Sequence, residues 1–245
     1  MTLAFNPADI QFRSDVTVEI IKSQASDADV VFAARVSTMG EMSRDIIDED
    51  PERSRGLIAY LARSRHGSVF EHSHFVFYCE APIFVFREFM RHRIGWSYNE
   101  SSARYRELAP VFYVPAPDRS LVQIGKAGHY TFVPGSDEQY LITDRATREA
   151  CTAAYVAYRE ILDAGVAREV ARGVLPVATY SSMYATCNAR SLMSFLSLRT
   201  NSEESTFPSY PQREIAMVAE KMEVEFARMM PITHKAFVDS GRVAP

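Results

Sequence analysis

Apolar positions along this chain repeat with two periods, and the switches between them mark out its elements. Residues 17–21 alternate and are β-branched, the pattern of a short strand. From Asp27, a residue type that caps helices, Val30, Val31 and Ala34 recur at helical spacing as far as about Val36. Asp50-Pro51 opens a second helix, with Leu57, Ile58 and Leu61 inward and Gly67 beyond its end. Residues 74–80 place Phe75, Phe77 and Cys79 on one strand face and His74, Val76 and Tyr78 on the other. Ala81-Pro82 should break that strand, since proline cannot donate to a ladder, and begin a helix carrying Ile83, Phe86 and Met90. That helix delivers Arg91, His92 and Arg93 at its C-terminal end, where cations meet the macrodipole favourably.

Further on, residues 108–117 read as proline-punctuated extended chain and 118–136 as an irregular or mobile loop. A long helix spans 137–164 and stops at Gly165, with Cys151, Ala154, Tyr155, Tyr158 and Leu162 inward. A short helix over 167–175 ends before Pro176, a strand follows over 179–186, and a helix over 188–198. Ile215, Val218, Ala219, Met222, Phe226 and Met229 mark the last long helix. This order predicts an α+β fold, with a mostly antiparallel central sheet packed by long helices, as a single domain over residues 1–245.

Bulk properties narrow the function. A net charge of −4 and a pI near 5.9 argue against nucleic-acid or membrane-surface binding. No apolar run reaches the roughly 18 residues that cross a bilayer, and the first residues show no secretion signal. Cys79, Cys151 and Cys187 are scattered and odd in number, as expected of reduced thiols in a cytoplasmic protein.

Against that acidic background the stretch RHRIGWSYNESSARY, residues 91–105, stands apart. From Arg87 to Arg106 five arginines face two glutamates. Arginine keeps its proton, and its planar fork suits phosphate and carboxylate. A solvated basic surface would explain the charges alone. It does not require the Asn99 amide, the Glu100 carboxylate and the Ser101 and Ser102 hydroxyls beside them, a mixture that suits a phosphorylated small molecule.

Arg199 extends the stripe Leu192, Phe195 and Leu196 at helical spacing, so it must be paired or reach out to solvent. Asn188 shares its face, and Arg190 and Ser194 share an adjoining one. Arg172 follows Arg168 on a short helix, where an ordinary surface ion pair is the simpler reading. His66, Glu71, His72 and His74 cluster before a strand, and His72 with His74 could form a metal pair on one strand face. No glycine-rich dinucleotide or phosphate loop is present. Two other classes therefore stay open on the residues alone. One is a metal-dependent nucleotide phosphohydrolase using those histidines, the other a single-strand binder stacking bases on Trp96, Tyr98 and Tyr105.

The chain resembles the flavin-dependent thymidylate synthases, whose signature is Arg-His-Arg, seven residues, then Ser. AARVS at 33–37, HGSVFEH at 66–72, APIFVFREFMRHR at 81–93, SYNESSARY at 97–105, REVARGVLP at 168–176 and NARSLMSFLSLR at 188–199 are similar to family segments, in family order. The resemblance implies an α+β homotetramer with shared active sites. It implies a methyltransferase and flavoprotein that converts dUMP to dTMP with FAD, NADPH and methylenetetrahydrofolate, with no metal. It places Ser37, Ser68, Glu71, Arg91, His92, Arg93, Glu100, Asn188, Arg190 and Ser194 at FAD. Glu88, Arg91, Glu100, Ser101, Ser102, Ala103, Arg104, Arg172 and Arg199 would hold dUMP, with Arg199 the catalytic residue. Seven residues after Arg93 comes Ser101, whereas counting back from Arg104-Tyr105 reaches Ser102, the favoured motif serine. Glu88 and Ser194 depart from the family, which commonly has glutamine and asparagine there.

Overall fold

The computed structural model describes residues 6–45, 51–126 and 129–245. In chain order its elements are β1 (Gln11–Arg13), β2 (Thr17–Gln24), α1 (Asp27–Met39), α2 (Pro51–Arg63), β3 (His74–Pro82) and α3 (Ile83–Phe89). There follow β4 (Trp96–Glu100), β5 (Val111–Tyr113), β6 (Val122–Lys126), β7 (His129–Val133) and α4 (Asp137–Asp163). The last are α5 (Arg168–Ala171), β8 (Tyr180–Cys187), α6 (Ala189–Arg199), α7 (Arg213–Met229) and α8 (Pro231–Asp239). Helices with an antiparallel sheet make the class α+β, as expected. Two compact units divide the chain, one of residues 1–15, 80–87 and 100–182, the other of 16–79, 88–99 and 183–245.

In the first unit β1 pairs parallel to β5, with Phe12 opposite Phe112. Helix α4 lays Cys151, Tyr155 and Tyr158 on Phe112 and Ala171, the predicted inward stripe. The Tyr155 hydroxyl donates to the Leu108 carbonyl at 3.0 Å, satisfying a polar tip that would otherwise be costly to bury. Ser136 caps α4 in a reciprocal capping box with Gln139, and Gly165, at φ +82°, follows its end as expected. The loop expected over 118–136 is instead largely an antiparallel pair, β6 with β7, running from Val122↔Val133 to Lys126↔His129. Its β-forming residues were legible, but Ile124, Tyr130 and Phe132 are 41–48% exposed, so no buried face announced it.

The second unit contains most of a four-stranded sheet of order β2-β3-β8-β4, whose β3, β4 and β8 continue into the first unit. Phe75, Phe77 and Cys79 are fully buried on one face of β3, as the alternation predicted. Helix α7 buries Ile215, Val218, Ala219, Met222 and Phe226, the last edge-on to Phe75. Met230, just past the helix, is fully buried, while the predicted Met229 is only half-buried. Ser26 rather than Asp27 caps α1. Asp27 instead accepts from Ile232 N, Thr233 N and Thr233 Oγ1 at 2.9, 2.8 and 2.6 Å, capping the first turn of α8, a helix absent from the sequence reading. Asp50, read as the opening of α2, lies outside the described residues.

Strand β3 runs through Ala81 and Pro82 instead of breaking there, and α3 ends at Phe89. At the last strand position a missing N–H breaks little of the ladder. Met90 is consequently exposed, and Val85, Phe86 and Phe89 form the buried set. Arg91–His92–Arg93 therefore occupies a turn after the helix, not its last residues.

Candidate active site

In the first unit the chain leaves β4 at Glu100 and turns sharply. Ser101 N donates to Ser182 O at 2.8 Å, and the Ser102 carbonyl accepts from Tyr105 N and Arg106 N at 3.0 and 3.2 Å. This turn, with Ile83, Leu108, Arg172, Leu175 and Ser181, lines a cavity of about 220 Å³ that also touches Glu100, Ser101, Ser102 and Ala103. Desolvation pushes the Glu100 carboxyl above its usual range, while Ser181 and the positive charge of Arg172 oppose that shift. Arg172, at the start of a 3-10 turn, makes no ion pair or side-chain hydrogen bond within the described residues. The ordinary surface ion pair read for it is not formed. Arg104 lies outside this wall and pairs with Glu169 at 3.0 Å.

In the second unit α6 starts after Asn188, whose side chain accepts from Ser191 N at 2.9 Å, so Asn188 caps the helix rather than opening it. Arg199 ends the helix with its side chain 15% exposed. It was expected to be paired or to reach out, and it is paired. Nη1 bonds the Glu88 carboxylate, Nη2 donates to the Glu88 carbonyl at 3.1 Å, and Nε donates to His92 Nε2 at 3.0 Å. His92 is thereby an acceptor at Nε2, and burial, then the Arg199 charge, pushes its pKa down to about 4. A neutral imidazole protonated at Nδ1 fits both facts. Phe195 packs against the His92 ring at 4.9 Å.

The turn carrying Arg91 and Arg93 is held from several sides. The Tyr98 hydroxyl reaches the carbonyls of Phe89 and His92 at 3.0 and 2.8 Å, and Ser191 Oγ donates to Ile94 O at 2.9 Å. Gly95 stands at φ +69°, and a Cβ there would meet Ser191 Oγ at 2.1 Å. Arg91 and Arg93 are exposed and make no ion pair or side-chain hydrogen bond within the described residues. Ser37, Ser68 and Ser194 are exposed as well. Arg190 pairs with Glu71 at 2.5 Å and donates to Pro245 O at 2.6 Å, and its guanidinium lies where a Cβ on Gly67 would sit.

Ser181 was missed by the sequence reading. It is 6% exposed, and its Oγ has no hydrogen-bond partner of normal geometry, although it lies near enough to Glu100 to favour the ionised carboxylate. A serine on a strand between buried Tyr180 and Met183 was the available signal. The histidine pair is not built as expected: His72 ends a 3-10 turn and only His74 enters β3. Among the described residues no group of three or more histidine, cysteine or acidic side chains could hold a metal ion, and no helix is long and apolar enough to cross a membrane.

Comparison with known proteins bears on the family of the chain. Residues 19–232 match the family model described as thymidylate synthase complementing protein. The flavin-dependent thymidylate synthase of Streptomyces coelicolor is 63% identical over 98% of both chains, and that of Streptomyces avermitilis 64% identical over 96% of this chain and 95% of its own. A solved UMP/dUMP methylase from Streptomyces cacaoi, bound with 5-Br dUMP, is 55% identical with a TM-score of 0.91, covering 96% of this chain and all of its own. With such identity along nearly its whole length, this chain belongs to the flavin-dependent thymidylate synthase family.

Proposed function

We propose that this protein methylates dUMP reductively at C5 to give dTMP, with FAD bound, NADPH as reductant and methylenetetrahydrofolate as one-carbon donor. The observation that carries this reading is the cavity that sets an uncommitted Arg172 beside Ser101, Ser102 and Glu100, in a chain of this family. Arg172 and the serines take the phosphate, with Ala103 closing the wall and Arg104 near it in the chain; the family resemblance also assigns Glu88 and Arg91 to the nucleotide. A relative solved with 5-Br dUMP supports a uridine nucleotide as the occupant.

FAD fits the polar groups of the second unit. Arg91 and Arg93 offer guanidinium groups that form no ion pair or side-chain hydrogen bond among the described residues, which suit a diphosphate. Exposed Ser37, Ser68 and Ser194 and the remaining amide N–H groups of Asn188 add donors, and His92, Glu71 and Arg190 belong to the same unit. When bound and reduced, FAD supplies the hydride that the methylation needs. Arg199 stabilises the negative charge on the uracil ring as N3 loses its proton, a preorganised interaction that contributes about 3–4 kcal/mol. A cysteine nucleophile is disfavoured, because burial pushes Cys79 up to about 12 and raises Cys151 and Cys187 as well.

The protein works as a cytoplasmic homotetramer with shared sites. Mixing Arg199→Ala and Arg172→Ala chains should restore part of the activity, and no recovery despite subunit exchange would overturn sharing. The central test is spectroscopic. Added FAD should bind stoichiometrically, and NADPH should bleach it faster with dUMP present, whereas failure to bind FAD would end this reading. One observation favours a broader substrate range, since the same relative was also solved with 5-Br UMP. Equal turnover of UMP and dUMP would support it.

A further inference from the structure

We infer that Ser181 is a specificity-determining ligand contact, and that its hydroxyl together with the Glu100 carboxylate forms the corner of the cavity that reads the sugar hydroxyl of the nucleotide. The inference rests on the reading of that cavity as a uridylate site. It starts from a buried polar atom. Ser181 is 6% exposed, and its Oγ lacks a partner of normal geometry. Its neighbour in the wall is the Glu100 carboxylate, which it helps to keep ionised, and a hydroxyl that both donates and accepts has capacity left for a ligand atom in the cavity. This region of β8 cannot easily shift, because the neighbouring Ser182 carbonyl is bonded to Ser101 N at 2.8 Å.

Charge decides which part of the ligand arrives there. Glu100, when ionised, can only accept hydrogen bonds, and it repels a phosphate. Arg172, the cation of the same wall, is uncommitted and takes the phosphate. The Glu100–Ser181 corner is left for a neutral donor. At about 220 Å³ the cavity is small among ligand sites, so it holds the phosphate and what adjoins it, rather than a whole nucleotide with its reaction partners. The group adjoining the phosphate is the sugar. Its 3′-hydroxyl donates to Glu100 and shares the Ser181 hydroxyl, which both donates and accepts.

Binding of dUMP and of 2′,3′-dideoxyuridine monophosphate to the FAD-loaded protein tests this. Wild type should bind dUMP roughly tenfold more tightly, the scale of losing one hydrogen bond to a charged group. Ser181→Ala should narrow that ratio to a few-fold, because the 3′-hydroxyl keeps Glu100 but loses its second partner. Glu100→Gln, which keeps the shape, should narrow the same ratio. If Ser181→Ala kept the wild-type ratio, or weakened both ligands by the same factor, Ser181 would not read the sugar hydroxyl. If wild type bound neither ligand, the uridylate reading itself would fail and take this inference with it.

Discussion

Two arginines of this chain carry the same charge under opposite conditions. Arg172 lines a cavity in the first unit and makes no ion pair among the described residues, although its charge acts on Glu100 in the same wall. Arg199, in the second, bonds the Glu88 carboxylate, the Glu88 carbonyl and the His92 ring. The difference follows from burial. A guanidinium with 15% exposure must be paired, since an uncompensated buried charge costs several kcal/mol, whereas Arg172 is exposed and can wait for a ligand. The first is a group that binds. The second has its direction fixed before any ligand arrives, which is what stabilising a developing charge requires.

The largest effect that would sharpen this contrast belongs to Arg199. Arg199→Ala should lower dUMP-dependent flavin oxidation by about a hundredfold or more, as on losing one oxyanion-stabilising donor. It should also lower the melting temperature, because Glu88 and His92 lose their shared partner. Arg199→Lys should restore only part of either, since an ammonium cannot reproduce the planar fork. An unchanged melting temperature would remove the distinction drawn here. Arg172→Ala should weaken dUMP binding by roughly tenfold to a hundredfold, the scale of one or two charged hydrogen bonds, and leave the melting temperature alone. Calorimetry of both variants measures the two halves of the comparison together.

Glycines extend the same contrast to the backbone. Gly95→Ala forces φ +69° on an alanine and brings its Cβ to 2.1 Å from Ser191 Oγ, which should cost about 1–3 kcal/mol in urea denaturation. Gly173→Ala, beside Arg172, meets nothing within 4 Å and should be neutral or slightly stabilising. A graded effect is the pH response of His92. Its pKa falls from 6.5 to about 4 on folding, so the unfolded chain binds the proton more readily. The stability tied to the neutral ring is complete above pH 6.5 and is lost as pH falls toward 4, by about 1–2 kcal/mol once the ring's partial exposure to solvent is allowed for. His92→Gln should flatten that limb of the stability profile, and a profile that did not change would show that His92 is not the group titrating.

Elements with one buried face were legible, and those without one were not. The alternation of Phe75, Phe77 and Cys79 and the stripe from Ile215 to Phe226 were read correctly because burial imposes a period on sequence. The β6–β7 pair was missed because both its faces meet solvent at Ile124, Tyr130 and Phe132. Helix α8 spans only nine residues and takes part of its N-terminal capping from Asp27, more than two hundred residues earlier, a contact that no local pattern can announce. The site divides the same way. Arg199 was expected to be paired or to reach out to solvent from its place on an apolar stripe, but Ser181 looked like one more strand serine.

By itself the sequence determined the class, the main helices and strands, and a set of arginines that need anions, because periodicity and formal charge are local properties of a chain. Only the tertiary structure decided which of those charges are already answered. Glu88 reaches Arg199 across more than a hundred positions, Arg190 finds Glu71 and Pro245, and Arg172 forms no ion pair among the described residues. Whether a guanidinium is paired depends on what folding places within about 3 Å of it, and that distance is not written in sequence separation.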